Sequence, residues 1–344
     1  MEKNSRVRRI CLVPKVSGVG GMVTFKGRMV KGLVERGIEV TNSLADTPYD
    51  AILVIGGTRD LAGLWRARRR GIPVVQRLDG MNWIHRKTRT GLKHYLRAEY
   101  GNLVLSVIRS RLATHIIYQS EFSHSWWERA YRGVRTPYRM VHNGVDLQLY
   151  TPDGPAERLD SHVRVLLVEG TIGGGYELGL QTAIEMGKKL FGIQGRKVEV
   201  MVVGRISEKL QQAGKDEKGL QVSYLGQVPP ERIPEIDRSA HVLYAADLHP
   251  ACPNSVIEAL ACGLPVAGFD TGALSEIVQE GAGEVVPYGG DPWKLEPPDI
   301  DGLAMAVSRI VNQQETYRRA ARQRAETGFG LERMLDGYLE VLLQ

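Results

Sequence analysis

Pro253-Asn254-Ser255-Val256-Ile257-Glu258-Ala259-Leu260-Ala261-Cys262-Gly263-Leu264-Pro265-Val266 reads as a short helix with a cap at one end and two breakers at the other. Asn254 is a favoured N-cap residue. Backbone amides at such a start lack partners inside the helix and attract anions. Those of Asn254, Ser255 and Val256 are therefore candidate phosphate donors. Glu258 lies one turn in, placed to accept hydrogen bonds from hydroxyls of a ligand whose phosphates sit on the helix end; such a ligand is a nucleotide. Gly263 and Pro265 stop the helix, residues 266–270 read as a short buried strand, and residues 271–278 as a loop of small residues opening another helix, with Glu276 near its start.

Working outward, the same alternation of strand and helix fills the chain. Residues 10–13, 38–42, 51–55, 73–78 and 116–120 read as strands, with a glycine turn over 17–22 and a helix over 23–36. Residues 90–113 have helical periodicity, with Leu92, Leu96, Leu103 and Val107 spaced for one face. A Pro- and Gly-rich linker at 151–156 is followed by further strands at 163–168, 198–203, 222–225, 241–245 and 265–269. Helices fit 178–190, 233–238, 255–262 and 300–312, and residues 331–343 are amphipathic. This alternation predicts α/β architecture with parallel sheets covered by helices on both faces. At 344 residues the chain exceeds what one core usually supports, so two domains are expected.

Charge is unevenly divided. Residues 1–150 hold 26 Lys and Arg against 11 Asp and Glu, a balance of +15, whereas the remainder holds 19 against 28, a balance of −9. The basic residues gather at 66–70 and along 86–97, interleaved with apolar ones, a composition suited to an anionic membrane surface or a phosphorylated lipid acceptor. No helix-turn-helix, zinc or aromatic RNA-binding pattern accompanies the charge, so no nucleic-acid partner is expected. Three scattered cysteines, Cys11, Cys252 and Cys262, argue for a reducing cytoplasm and against a disulfide framework or zinc site. Four apolar residues at 10–13 are too few for a secretory leader, and no apolar run is long enough to span a membrane. A cytoplasmic location, peripheral on the inner face of the plasma membrane, is the expectation.

Two segments carry a family resemblance. The run from Asn254 to Val278, with Glu258-Ala259-Leu260-Ala261-Cys262-Gly263-Leu264-Pro265-Val266 and Thr271-Gly272-Ala273-Leu274-Ser275-Glu276-Ile277-Val278, resembles the C-terminal signature of retaining group 1 (family 4) glycosyltransferases. Val141-His142-Asn143-Gly144-Val145-Asp146-Leu147, followed by Tyr150-Thr151-Pro152, resembles the segment joining that family's two domains. The resemblance implies the GT-B fold: two Rossmann-like domains facing across a cleft, with the C-terminal helix crossing back to the N-terminal domain. It implies an acceptor domain at 1–152 completed by residues 328–344, and a nucleotide-sugar donor domain at 160–327. It also implies retaining transfer of a sugar from a nucleotide-diphosphate sugar to a hydroxyl of a saccharide or lipid-linked acceptor, in cell-envelope polysaccharide or glycolipid synthesis, with no metal and no other cofactor.

Site residues carried over by this resemblance are Glu258 for the nucleotide ribose, Glu276 in the last loop, and Gly20 and Gly21 in the first glycine turn, which in the family faces the donor phosphates and the acceptor. Three departures accompany them. Asp79 stands where family members commonly place a His. The Arg and Lys that usually follow the first strand of the donor domain are absent, and Gly173, Gly174 and Gly175 stand there as a backbone nest, with Arg205 as a substitute charge. The first acid of the family's paired-acid motif falls on Pro250, leaving Asp247 and His249 as neighbours of the transferred sugar. The catalytic candidates are Asp79, His249 and Arg205. Because of the departures, two other readings stand beside the transferase: a non-catalytic carbohydrate- or lipid-binding protein, and a nucleotide-sugar 2-epimerase. Of the adjacent Trp126 and Trp127, one is expected in the core and the other free to stack on a sugar or rest at an interface.

Overall fold

A computed structural model describes residues 8–18, 20–156, 158, 161–173, 177–213 and 218–344. The chain forms two compact units, Met1–Gly144 with Leu331–Gln344, and Val145–Gly330. In chain order the first contains β1 (Arg9–Val13), α1 (Gly21–Glu35), β2 (Glu39–Thr41), β3 (Ala51–Ile55), α2 (Leu61–Arg69), β4 (Val74–Leu78), α3 (Leu92–Val107), β5 (His115–Tyr118), α4 (Glu121–Tyr131) and β6 (Tyr138–Met140). The second contains β7 (His162–Ile172), α5 (Glu177–Gln194), β8 (Lys197–Ile206), α6 (Glu208–Ala213), β9 (Leu220–Gly226), α7 (Ile233–Ser239), β10 (Val242–Ala245), α8 (Asn254–Ala261), β11 (Val266–Phe269), α9 (Leu274–Ile277), β12 (Gly283–Val286), α10 (Ile300–Asn312) and α11 (Gln314–Gly328). The last helix, α12 (Leu331–Leu342), returns to the first unit.

Among the described residues each unit is built on a six-stranded sheet, β2-β1-β3-β4-β5-β6 in the first and β12-β11-β10-β7-β8-β9 in the second. Every strand pairing is parallel. Buried on both faces, the strands of the first unit divide their side chains by alternation. Ile10, Leu12, Leu53 and Ile55 meet Phe25, Met29 and Leu33 of α1 and Leu335 and Tyr338 of α12. Cys11, Val13, Ile52 and Val54 meet Leu64 and Ala67 of α2 and Val104 of α3. The amphipathic C-terminal helix thus supplies half of one layer, its Tyr338 ring 5.2 Å from that of Phe25.

In the second unit Val163, Val165, Leu167, Val198, Val200 and Val202 form one core with α5 and α10. On the same sheet α8 packs against β10 and β11, and α11 against α8. Polar α11 is anchored by arginines rather than an apolar stripe. Arg322 donates to the carbonyls of Ala261 (2.8 Å) and Tyr150 (2.9 Å), closing the C-terminal end of α8. Arg324 donates to those of Ile277 (3.0 Å) and Glu276 (3.0 Å). Lysine or arginine on terminal helix carbonyls is a recognised C-terminal cap.

The periodic face of α3 is its outer one: Leu92, Leu96 and Leu103 are exposed, while Ala98, Asn102 and Val104 are buried. Helical spacing marks a shared face but does not say which side the sheet occupies. One expectation is corrected: Trp126 and Trp127 are both buried. Trp127 donates its indole N–H to the Asp79 carbonyl at 2.7 Å, and Trp126 lies against Gly80.

Candidate active site

In both sheets the chain runs outward in opposite directions from one central pair of strands, β1 and β3 in the first unit, β7 and β10 in the second. The carboxyl end of such a switch point leaves a crevice into which no crossover helix fits, and ligands of open α/β sheets bind there. In the second unit this crevice is a cavity of about 200 Å³ whose lining includes Glu169, Thr171, Leu180, Ala246 and Asp247. Strand β7 beside it and the next strand, β8, run further than their hydrophobic runs suggest. β7 continues past the expected 163–168 through Gly170, Thr171 and Ile172, and after a bulge pairs Thr171 with Arg205 and Ile172 with Ile206. That ladder carries Arg205 to the carboxyl edge, where it is exposed and donates to Gln227 at 3.3 Å.

The crossing depends on Gly204. Its φ of 139° lies outside the range of L residues, and a Cβ there would sit 1.9 Å from the carbonyl oxygen of Glu169.

Glu169, within β7, and Asp247, two residues past the neighbouring β10, line the same cavity. Burial first, and the charge of Asp247 second, push the Glu169 carboxyl from its ordinary 4.5 up to about 8. Burial raises Asp247 as well. The pair therefore holds a proton at neutral pH, and Glu169 adds little negative charge to the edge where a diphosphate would lie. For a carboxyl raised in the folded state, the stabilising proton is fully held below pH 4.5 and lost as pH rises through about 8. Glu169→Gln removes that dependence, so the melting temperature of the variant relative to the parent is expected to climb between pH 5 and pH 8; a pH-independent difference in scanning calorimetry would refute the shared proton.

The loop after β10 is fixed from two sides. The His249 amide donates to Asp247 at 3.3 Å, and the buried His249 ring stacks on Trp293 with centroids 3.5 Å apart and planes 14° apart. Pro250 meets the loop after β11: Ala273 donates to its carbonyl at 2.8 Å, and a Cβ on Gly272, at φ 62°, would lie 2.5 Å from its nitrogen. The position that holds an acid in the resembled family thus serves here as a rigid contact joining two loops of the crevice.

Helix α8 starts one residue earlier than an Asn254 cap would place it. Pro253, extended at φ −70° and ψ 124°, occupies the cap position without a side-chain bond, and Asn254 is the first helical residue. Proline's fixed φ suits the entry to a helix. The amides of Asn254, Ser255 and Val256 open the helix, and that of Ile257 donates to the Pro253 carbonyl at 3.4 Å. Glu258 is buried at 7% exposure, and its charge helps push the Asp237 carboxyl, raised mainly by burial, still higher. Glu276 lies in the first turn of α9.

One edge of one sheet therefore gathers Gly173, Arg205, His249, Asn254, Ser255, Val256, Glu258 and Glu276. Gly174 and Gly175 lie outside the described residues. Sequence reading missed Glu169 as a proton-holding group and Trp293 as the plate beneath His249. Neither has a local signal, since each depends on a neighbour far along the chain. Among the described residues, no group of three His, Cys, Asp or Glu side chains is placed to hold a metal ion.

In the first unit Gly20 caps α1 and Gly21 is its first residue. Beneath that turn buried Lys26 donates to the Pro14 carbonyl at 2.9 Å. Asp79 follows β4, its Oδ2 3.8 Å from Nη1 of the buried Arg77. Burial raises the Asp79 carboxyl, and Arg77 opposes the rise. Arg77 also lies 4.0 Å over the Phe25 ring and donates to Asn143 at 3.2 Å, tying the Asn-Gly motif to the end of β4.

Residues 164–313 match the family model described as glycosyl transferases group 1. A 2-deoxystreptamine N-acetyl-D-glucosaminyltransferase from Streptomyces fradiae is 27% identical over 115 residues, which is 33% of this chain and 25% of that protein. The match thus spans about a quarter of the curated relative's length. A sucrose-phosphate synthase from Thermosynechococcus elongatus superposes with a TM-score of 0.74 at 16% identity, over 98% of each chain. The Anabaena protein HepE in complex with UDP-glucose gives a TM-score of 0.69 at 16% identity, over 97% of this chain and 99% of that one. WaaG, a glycosyltransferase involved in lipopolysaccharide biosynthesis, gives 0.69 at 14% identity, over 97% and 99%. The chain has the GT-B fold of two Rossmann-like α/β domains, and the stretch of its second unit from 164 to 313 is similar to the group 1 glycosyl transferases.

Proposed function

We propose, taking a GT-B fold with a stretch similar to the group 1 glycosyl transferases as the premise, that this chain moves a sugar from a nucleotide-diphosphate sugar to an acceptor hydroxyl with retention of anomeric configuration. The observation that carries this reading is the switch-point crevice of the second unit, with the start of α8 and Glu258 at the same sheet edge. The UDP-glucose bound by the similar HepE supports a nucleotide-diphosphate sugar as donor.

In the proposed reaction the acceptor oxygen bonds to the anomeric carbon on the face from which the diphosphate departs. The bond from that carbon to the phosphate oxygen breaks, and the hydroxyl proton passes to the leaving phosphate. Catalysis rests on stabilising the charge that grows on that phosphate. The amides of Asn254, Ser255 and Val256, the glycines at 173–175 and Arg205 fill that role, and the proton held by Glu169 lowers the repulsion there. Glu258 accepts from the ribose hydroxyls, with Glu276 beside the nucleotide. His249 lies by the transferred sugar. Asp79, Gly20 and Gly21 belong to the acceptor-binding first unit. The acceptor is a saccharide or lipid-linked saccharide of polysaccharide or glycolipid synthesis, the work is cytoplasmic, and the basic first unit makes peripheral contact with an anionic membrane. No resident metal is assigned.

Calorimetry with a panel of nucleoside diphosphates, followed by an assay for nucleotide release from the corresponding sugars, tests the reading. Tight binding of a diphosphate with release of nucleotide is the expected result. Binding without turnover would instead indicate a carbohydrate-binding protein, and an altered sugar with its diphosphate intact would indicate an epimerase.

A further inference from the structure

Helix α3 has a buried side and an apolar one. The buried side, formed by Ala98, Asn102 and Val104, holds the helix to its unit, with Asn102 donating to the Asn82 carbonyl at 2.8 Å. The other is in solvent. Along it Leu92, Tyr95, Leu96, Tyr100 and Leu103 are 75%, 41%, 59%, 53% and 56% exposed. They recur every three or four residues and so line one stripe. A contiguous exposed apolar stripe marks an interaction surface, whereas scattered exposed leucines do not.

Its charge identifies the occupant. From Ile84 to Ala98 there is no acidic residue, and Lys87, Arg89, Lys93 and Arg97 are exposed beside or just before the stripe. The neighbouring Arg86 is engaged by Glu99, at 2.6 and 2.8 Å. Apolar side chains flanked by lysine and arginine fit a bilayer whose surface is anionic: the leucines enter the acyl boundary, the tyrosines sit at headgroup depth, and the cations stay with the phosphates. A second copy of the same face would set Lys93 and Arg97 against like charges, which opposes self-association there. Among the described residues no helix is long and apolar enough to cross a membrane, so the contact is one of lying on the surface.

We infer that the outer face of α3, with Leu92, Leu96 and Leu103 as its apolar anchors and Lys93 and Arg97 as its phosphate contacts, docks this protein onto anionic lipid bilayers. The inference rests on the membrane contact proposed above and gives it a surface, but it is independent of the transfer chemistry.

The test is flotation of the full chain with phosphatidylcholine vesicles, with and without phosphatidylglycerol. The parent is expected to float with the anionic vesicles only, and less so at high salt. Leu92→Glu/Leu96→Glu is expected to weaken that partitioning at least about tenfold, and Lys93→Glu/Arg97→Glu by roughly tenfold. Met305→Ala, at an exposed residue on α10 of the second unit, should leave it unchanged. Binding of nucleoside diphosphate, measured on the same variants, reports whether each is folded and keeps failure here separate from failure of the proposed activity. Absence of flotation, or equal flotation of parent and α3 variants, would overturn the inference. So would a dimer in sedimentation velocity that these substitutions dissolve while vesicles bind nothing.

Discussion

Gly204→Ala is expected to destabilise the second unit by about 3–5 kcal/mol, among the largest effects of any single methyl group in this chain. Two terms add. The backbone at φ 139° is strained for any L residue, and the new Cβ would stand 1.9 Å from a backbone oxygen, which cannot move aside as a side-chain tip can. Relief would require β8 to part from β7 where Thr171 pairs with Arg205, and both Glu169 and Arg205 would shift with it. Urea unfolding should therefore show a lowered midpoint, and the folded fraction should bind nucleoside diphosphate more weakly. Gly192→Ala in α5 is the control: open space surrounds it, and a helical glycine replaced by alanine is expected to be neutral or stabilising by up to roughly 1 kcal/mol. Equal stability of the two variants would mean that β8 does not need its glycine to cross Glu169.

Glu258→Ala is expected to weaken nucleoside diphosphate binding by about 1–3 kcal/mol, the worth of charge-assisted hydrogen bonds to a pair of hydroxyls. Nucleotide release should fall at least as far. The fold should suffer less than burial suggests, because Glu258 and Asp237 are two carboxylates in one neighbourhood, and removing one lets the other return toward its ordinary range. Isothermal titration of parent and variant with UDP distinguishes the roles. Unchanged affinity would remove Glu258 from the site, and a collapse in stability with affinity intact would make it a packing residue.

Some elements can be read from their own residues. Ala51–Ile55 is a run of five buried apolar residues, and Ile300–Asn312 has one strong apolar face behind an Asp299 cap. Each element follows from spacing within itself. Helix α11 could not be read this way, since its arginines are held by carbonyls of α8 and α9 that lie far away in sequence. Likewise no local pattern says that Trp127 is to donate to Asp79, or that a proline fills the place of an acid in order to grip Gly272.

The amino-acid order by itself determined the alternation of strands and helices, the two sheets that follow from it, and the family-like run from Asn254 to Val278, because hydrophobic period, caps and breakers act over a few residues. Tertiary structure alone decided that the leucine stripe of α3 faces outward, that burial beside Asp247 pushes the Glu169 carboxyl up, and that His249 lies flat on Trp293. Those outcomes depend on which distant side chains arrive at the same place, where desolvation and neighbouring charge take over from local spacing.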